Sequence, residues 1–254
     1  MFQRRIEEAA LNAWPALQQI LFDGWILRFS KGYTKRANSV NPLYASSLDV
    51  GEKVDACEKL YAEKGLRPVF RLTPFSSPPD LDQVLENRGY RNADPTFVLH
   101  LNLRDHQIQP VPSGELRVEG RVEGLDDWMD LFCQFSESPM EKHQAHREIL
   151  QAISSKRLLV SLVESGQPVA CGLGVLENRY FGLFDLVTDP HQRNKGYGAQ
   201  VVSSLLKWAQ DRDAWYAYLQ VMSSNETARH LYAKFGFEKA YQYWYRISES
   251  QHSC

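Results

Sequence analysis

Leu183-Phe184-Asp185-Leu186-Val187-Thr188-Asp189-Pro190-His191-Gln192-Arg193-Asn194-Lys195-Gly196-Tyr197-Gly198-Ala199 begins as an apolar run, passes a proline and enters a loop of pattern Arg193-x-x-Gly196-x-Gly198. An amphipathic segment follows at once, with Val202, Leu205, Leu206 and Ala209 at helical spacing. Strand, glycine loop and helix start together make an anion site. The first N–H groups of a helix have no internal partner and point outward. Gly196 and Gly198 bring no Cβ between an anion and the backbone. Arg193 and Lys195 add positive charge where the helix dipole already favours a negative one.

Two familiar phosphate motifs do not fit. A Walker loop needs Gly-x4-Gly-Lys-Ser/Thr, which the sequence lacks, and the dinucleotide fingerprint needs a third glycine where Val201 stands. Taken alone, the loop also reads as a strand-to-helix turn with no ligand, so the rest of the chain has to decide.

A chain of 254 residues, 43% hydrophobic and 24% charged, is long enough for a real core in one large domain or two small ones. The formal charge of −2 leaves no basic footprint for nucleic acid or an anionic membrane. No apolar run approaches the roughly 20 residues that span a bilayer. Met1 to Arg5 lead into an amphipathic stretch rather than the apolar core of a signal peptide. Cys57, Cys133, Cys171 and Cys254 are far apart and form no Cys-x-x-Cys. They read as reduced thiols of a cytoplasmic protein, with neither a disulfide frame nor a zinc site. His143-x-x-His146 has no evident third metal ligand and reads as a solvated helix face.

Along the chain, residues 5–22 carry a helical stripe of Ile6, Ala9, Ala10, Ala13, Leu17, Ile20 and Leu21, with Pro15 as a possible kink. Strands are expected at Trp25–Phe29, Ser39–Leu48, Val69–Leu72 and Thr96–Leu103. Helices are expected around Val54–Tyr61 and Leu81–Leu85, stopping near Gly65 and Gly89. Arg104 to Gly114, rich in proline and poor in apolar residues, reads as a linker between residues 1–103 and 115–254. Beyond it come a strand at Leu116–Val122 and helices at 125–135 and about 141–155. A hairpin follows across Ser165-Gly166, then strands at Tyr180–Val187, Tyr218–Met222 and Ala240–Ile247, with a helix at 225–235.

The two halves echo one another. Superposing Gly89-Tyr90 on Gly236-Phe237 sets Val84-Leu85 against Leu231-Tyr232. The first half nevertheless has Leu85 in place of Tyr232 and Pro78 in place of Asn225. It also has Asp49 and Glu52 where the second half has Arg193 and Lys195, and acids there would repel a phosphate.

A second motif follows the glycine loop in order. After Tyr218-Leu219-Gln220-Val221-Met222-Ser223-Ser224-Asn225 come Ala228 and Leu231-Tyr232-Ala233-Lys234-Phe235-Gly236-Phe237. The pair of motifs, through residues 116–247, resembles the GNAT (GCN5-related) N-acetyltransferases, and the first half resembles the degenerate copy found in tandem members. That resemblance implies an α/β (α+β) fold of two GNAT-like halves, each a mixed, mostly antiparallel sheet flanked by helices. It further implies an acetyl-CoA-dependent N-acetyltransferase that transfers directly to a primary amine, on a small molecule or a peptide. The first half would shape the acceptor pocket, and the protein would act as monomer or homodimer without metal, nucleic acid or membrane.

Carried over residue by residue, the N–H groups near Leu186 and Val187 would hold the thioester carbonyl and pantetheine arm, in a gap where two strands part. Those of Arg193, Asn194, Lys195, Gly196, Tyr197, Gly198 and Ala199 would hold the pyrophosphate. Asn225 would meet the arm or cap its helix, or do both. Tyr232 would protonate the departing thiolate, although it also lies on a core stripe with Ala228, Leu231 and Phe235. The base is open. Some family members place a Glu where this chain has Gln220, which takes no proton. Asp185, the one charge in an apolar strand, is the alternative, with a water chain or a structural ion pair competing. A non-catalytic CoA or acyl-CoA sensor is the rival function, and a tandem aminoacyltransferase is disfavoured by the near-neutral charge.

Overall fold

The computed structural model describes residues 2–108, 115–119 and 124–248. Of the expected linker, residues 109–114 lie outside these, as do 120–123 and Cys254. The described chain divides into two units that no single cut in the sequence would give. Among the described residues, the larger comprises 2–13, 98–108, 115–119, 124–221 and 225–240, and the smaller comprises 14–97, 222–224 and 241–248.

The smaller unit holds β1 (Gln18–Phe22), β2 (Trp25–Phe29), β3 (Val40–Asn41) and β4 (Val69–Leu72), with α2 (Val50–Glu63) and α3 (Leu81–Asn87). Most of β11 (Glu238–Ser248) completes its sheet in the order β1-β2-β3-β4-β11. Its core gathers Trp25, Leu27, Val40, Val54, Tyr61, Phe70, Leu72, Leu81 and Leu85.

Two expectations fail in this unit. The helix over 5–22 stops at Ala13, giving α1 (Phe2–Ala13), and Gln18–Phe22 is an edge strand instead. Pro15 disfavours helical backbone at the residue before it. The two-residue turn Asp23-Gly24, with φ of 41° and 82°, closes an antiparallel hairpin that sets Phe22 opposite Trp25. The strand expected at Ser39–Leu48 shrinks to Val40–Asn41 because Pro42 removes a ladder donor.

The larger unit begins with α1, whose Gln3 side chain donates to the Ala240 carbonyl at 2.7 Å and whose Asn12 donates to Glu177 at 2.7 Å. It contains β6 (Glu115–Glu119), α4 (Leu125–Phe135) and a 3₁₀ turn at Met140–His143. There follow α5 (Gln144–Ala152), β7 (Lys156–Glu164), β8 (Gln167–Glu177), β9 (Tyr180–Thr188), α6 (Tyr197–Gln210), β10 (Tyr216–Met222) and α7 (Glu226–Lys234). Its strand order is β5-β10-β9-β8-β7-β6, where β5 spans Tyr90–Asn102 and belongs to this unit from Val98 on. Pairing is antiparallel from β6 through β9 and parallel between β9 and β10. The fold is therefore mixed α/β with a mostly antiparallel sheet.

One close approach fixes where α6 starts. A Cβ on Gly172 of β8 would stand 2.8 Å from Val201 Cγ1, so the helix is seated on a glycine. Val201, Val202, Leu205, Leu206 and Ala209 are all buried, each larger side chain contributing about 1.5–3 kcal/mol. The helix start is thus held at the end of β9.

Candidate active site

In the parallel pair, β9 and β10 stay in register only from Tyr180↔Tyr216 to Leu183↔Leu219. Both strands run on past that point, β9 to Thr188 and β10 to Met222. Burial changes at the same place: Phe181 to Phe184 are buried, while Asp185 to Thr188 are half-buried. The two strands part, leaving backbone groups of β9 that a ligand or water must satisfy.

A β-bulge accompanies the parting. Leu173 of β8 faces Phe184, but Cys171 faces Val187, so β9 has one residue more than its partner. The extra residue includes Asp185, whose φ of 50° is left-handed, a conformation that L-residues rarely adopt. The Asp185 carboxylate is held from the buried face of α5, where His146 Nε2 lies 2.8 Å from Oδ2. Here the reading of His143-x-x-His146 as a solvated face is corrected, since His143 is 7% exposed and His146 0%. The Phe132 ring stands edge-on to His146 at 4.9 Å and to His143 at 5.5 Å. Burial, followed by the neighbouring His146, moves the His143 pKa down, so that ring stays neutral near pH 7. The signal was in the sequence: Ala145, His146, Ile149 and Leu150 share one helical stripe, and all four are buried.

Beyond β9 the chain makes a 3₁₀ turn at Pro190–Gln192, capped by Asp189, whose Oδ1 accepts from His191 N at 2.9 Å. Asn194 and Gly196 then take left-handed φ values of 65° and 84° on either side of Lys195. Such alternation turns successive N–H groups to one side and makes an anion-binding concavity. Gly196 is the N-cap of α6, and this cap residue makes no side-chain hydrogen bond to the first amides of that helix. Arg193, Asn194, Lys195 and Gly196 are exposed, and Tyr197, Gly198 and Ala199 half-buried. Lys195 Nζ donates to Gln192 Oε1 at 2.8 Å.

The start of α2 in the smaller unit is closed by its own side chains. Asp49 accepts from the amides of Gly51 and Glu52 at 2.8 and 3.1 Å. Asp23 accepts from the amides of Ser47 and Leu48 at 3.0 Å each. Carboxylates stand where a bound anion's oxygens would otherwise be needed.

Tyr232 lies on α7, 8% exposed, its ring edge-on to Phe237 at 5.8 Å. Burial pushes its hydroxyl pKa up to about 12. It therefore remains a proton donor across the whole physiological range. Asn225 caps α7, its Oδ1 accepting from Ala228 N at 3.1 Å, and the amide nitrogen takes no part in that cap. Gln220 is half-buried on β10. Cys57, Cys133 and Cys171 are buried free thiols, and burial raises the Cys171 thiol well above its ordinary value. Among the described residues no His, Cys, Asp or Glu cluster is placed to hold a metal ion. No described helix is long and apolar enough to cross a membrane.

Residues 3–246 match the family described as "Probable histone acetyltransferase Rv0428c C-terminal". The chain is 30% identical over 244 residues to the "Uncharacterized N-acetyltransferase YobR" of Bacillus subtilis (strain 168), covering 96% of this chain and 98% of that one. In fold it resembles a GCN5-related N-acetyltransferase from Kribbella flavida, with TM-score 0.73, 16% identity, and coverage of 98% and 96% of the two chains. It also resembles a tandem GNAT protein from the clavulanic acid biosynthesis pathway, with TM-score 0.64, 12% identity, and coverage of 97% and 88%.

Proposed function

The chain belongs to the GNAT superfamily of N-acetyltransferases and is an acyltransferase; from that premise we propose that it takes its acyl group from acetyl-CoA and passes it directly to a primary amine. The observation that most supports this donor is the parting of β9 and β10 beyond Leu183 and Leu219, on a strand that leads to the uncapped start of α6. In this reading the freed backbone around Leu186 and Val187 hydrogen-bonds the pantetheine arm and the thioester carbonyl. The amides from Arg193 to Ala199 take the pyrophosphate, with Arg193 and Lys195 adding charge. Asn225 meets the arm with the part of its amide that the helix cap leaves over.

The chemistry needs one proton taken and one given. The acceptor arrives as an ammonium, and Asp185 removes a proton to free the nitrogen lone pair. The nitrogen attacks the thioester carbonyl, so a C–N bond forms as the C–S bond breaks. Tyr232 gives its hydroxyl proton to the leaving sulfur and recovers one from the nitrogen as the intermediate collapses. The products are an acetamide and the free CoA thiol, and the first proton leaves from Asp185 to solvent. The raised pKa of Tyr232 suits this role, since a tyrosine that ionised early would have no proton to give.

The smaller unit, on this reading, is a degenerate copy with no CoA site of its own, its equivalent helix start being occupied by Asp23 and Asp49. A panel of small-molecule and peptide amines, with CoA release followed by thiol detection and the product weighed by mass spectrometry, tests the proposal. Release that requires an added amine and yields its acetamide is expected. Tight acetyl-CoA binding with no amine-dependent release would favour a sensor instead.

A further inference from the structure

We propose that His146 is a positioning residue for the proton-accepting carboxylate of Asp185, fixing it at the bulge where β9 leaves β10. The inference rests on the reading of Asp185 as the base, and it names a residue that the sequence reading places on a solvated helix face.

The argument starts from an energetic oddity. Asp185 combines three costly features: a charge in an otherwise apolar strand, a left-handed φ of 50°, and a bulge that interrupts the ladder to β8. An aspartate tolerates such a backbone better than most residues, yet strain of this kind persists only where the surroundings over-determine it. His146 supplies that constraint. Its side chain is fully buried, while that of Asp185 is 16% exposed. The aspartate is therefore the member of the pair that an acceptor amine can reach, and the histidine stands behind it.

A carboxylate only accepts, so the 2.8 Å contact requires Nε2 to carry the hydrogen. That bond engages Oδ2 and leaves Oδ1 for the amine. The ring's own orientation is fixed from the other side by the edge of Phe132 at 4.9 Å. The remaining titratable groups around the pair are His143 and Lys142 from the 3₁₀ turn, Cys133 from α4 and Cys171 from β8. Burial holds His143 toward its neutral form and keeps the Cys171 thiol protonated, so neither brings a competing charge to Asp185 near neutral pH. In the transfer step the ammonium N–H bond breaks, its proton moves to Oδ1, and the N–H···Oδ2 bond from His146 keeps the carboxyl plane in place throughout.

Three variants and one spectroscopic measurement test this. His146→Leu should leave the KM for acetyl-CoA unchanged and lower kcat roughly 10- to 100-fold, the worth of one hydrogen bond to a charged group. The acid limb of its kcat/KM profile should move to higher pH, because a donor to the ionised carboxylate has gone. His146→Gln places an amide N–H near the former Nε2 and should recover most of the rate and the wild-type limb. A His146→Leu enzyme with wild-type kcat and an unmoved acid limb would overturn the inference, as would a folded His146→Gln enzyme no better than His146→Leu. Should the leucine variant fail to fold, nitrogen-15 NMR of the wild-type ring decides, since a neutral His146 bearing its proton on Nδ1 contradicts the proposed bond. Asp185→Asn separates the two layers. If it retains activity within about threefold, Asp185 is not the base and the underlying reading fails. If it is inactive while the His146 variants behave as wild type, only the positioning role fails.

Discussion

Leu183 and Leu219 are the last residues at which β9 and β10 face one another, although both strands continue for several residues more. Parallel neighbours in a sheet interior normally stay paired, because an unpaired buried N–H or C=O costs about as much as a lost hydrogen bond. Here the parting coincides with a bulge at Asp185 and with a fall in burial from Phe184 to Asp185. Strand, bulge and helix start thus form one device, and each part of it makes a separate prediction.

Gly196 and Gly198 serve the loop differently, and substitution should separate them. Gly196 has a φ of 84° and open space around it, so Gly196→Ala strains the backbone without a clash. A loss of about 1–2 kcal/mol is expected for an L-residue held there, with weaker acetyl-CoA binding as the amides shift. At Gly198 a Cβ would sit 3.5 Å from Leu231 Cδ2 and 3.6 Å from Thr188 Oγ1, which is ordinary contact. Gly198→Glu should fold normally and still lose acetyl-CoA binding, through bulk and like charge at the pyrophosphate. Calorimetry on the folded variant reads this directly, and unchanged affinity would remove the loop from the donor site.

Tyr232→Phe keeps the ring and its edge contact with Phe237 but removes the proton. Acetyl-CoA affinity should persist while kcat falls about 10²–10⁴-fold, the usual worth of a general acid. The pH profile adds a second check. A general acid acts in its protonated form, and burial moves loss of the Tyr232 proton to about pH 12. The wild-type kcat should therefore hold as pH rises through 10, where an ordinary tyrosine would begin to fail. Turnover within twofold of wild type in the phenylalanine variant would return Tyr232 to a packing role.

Much of the frame was legible because strong local rules agreed with the final packing. Trp25–Phe29 and Val69–Leu72 emerge as strands at the expected residues, both being mostly apolar runs, each with one buried arginine, in the smaller unit. The first helix ends at Ala13, although Leu17, Ile20 and Leu21 continue a helical spacing by coincidence. Leu21 is 76% exposed on an edge strand, so the spacing carried no burial, and the better signals were Pro15 and the turn Asp23-Gly24. Of the candidate site, the glycine loop is proposed from three residues in one short segment. His146 could not be read in that way, because what matters is its contact with a residue 39 positions away, created by a bulge that no local pattern announces. Chain order also misled. α1 clusters with residues 98–221 and the end of β11 with residues 14–97, joins that depend on long-range pairing.

Asp23 offers a stability test in the smaller unit. Its carboxylate takes the Leu48 and Ser47 amides and the Ser47 hydroxyl, and pairs with the fully buried Lys53 at 3.2 Å. The Leu48 amide leads the interactions that hold its pKa well below the ordinary aspartate value. A depressed folded pKa means stability that is present above the unfolded value, about 4, and lost as pH falls through the folded one. Asp23→Asn should therefore lower Tm at pH 7, and the gap to wild type should close steadily below about pH 4. Melting curves between pH 7 and 3 measure it, and a gap independent of pH would mean that the charge contributes nothing.

The proposed division of labour between the units yields a stoichiometry. α6 starts without a side-chain cap and with Arg193 and Lys195 nearby, whereas α2 starts with Asp49 on its first amides and Glu52 in its first turn. An anion approaching α2 would have to displace a carboxylate already bonded at 2.8 Å and would meet a second negative charge beside it. The helix dipole, worth about 0.3–1 kcal/mol at an exposed terminus, is too weak to offset both effects. The full chain should thus bind acetyl-CoA at a single site, and Gly198→Glu should leave no residual binding. Asp49→Ala frees the α2 amides, but Glu52 and the Asp23 carboxylate remain, so it should not create a second site. Calorimetric titration of wild type and both variants reads all three outcomes. Two equivalents bound per wild-type chain, or binding that survives in Gly198→Glu, would assign a working donor site to the smaller unit and overturn the division.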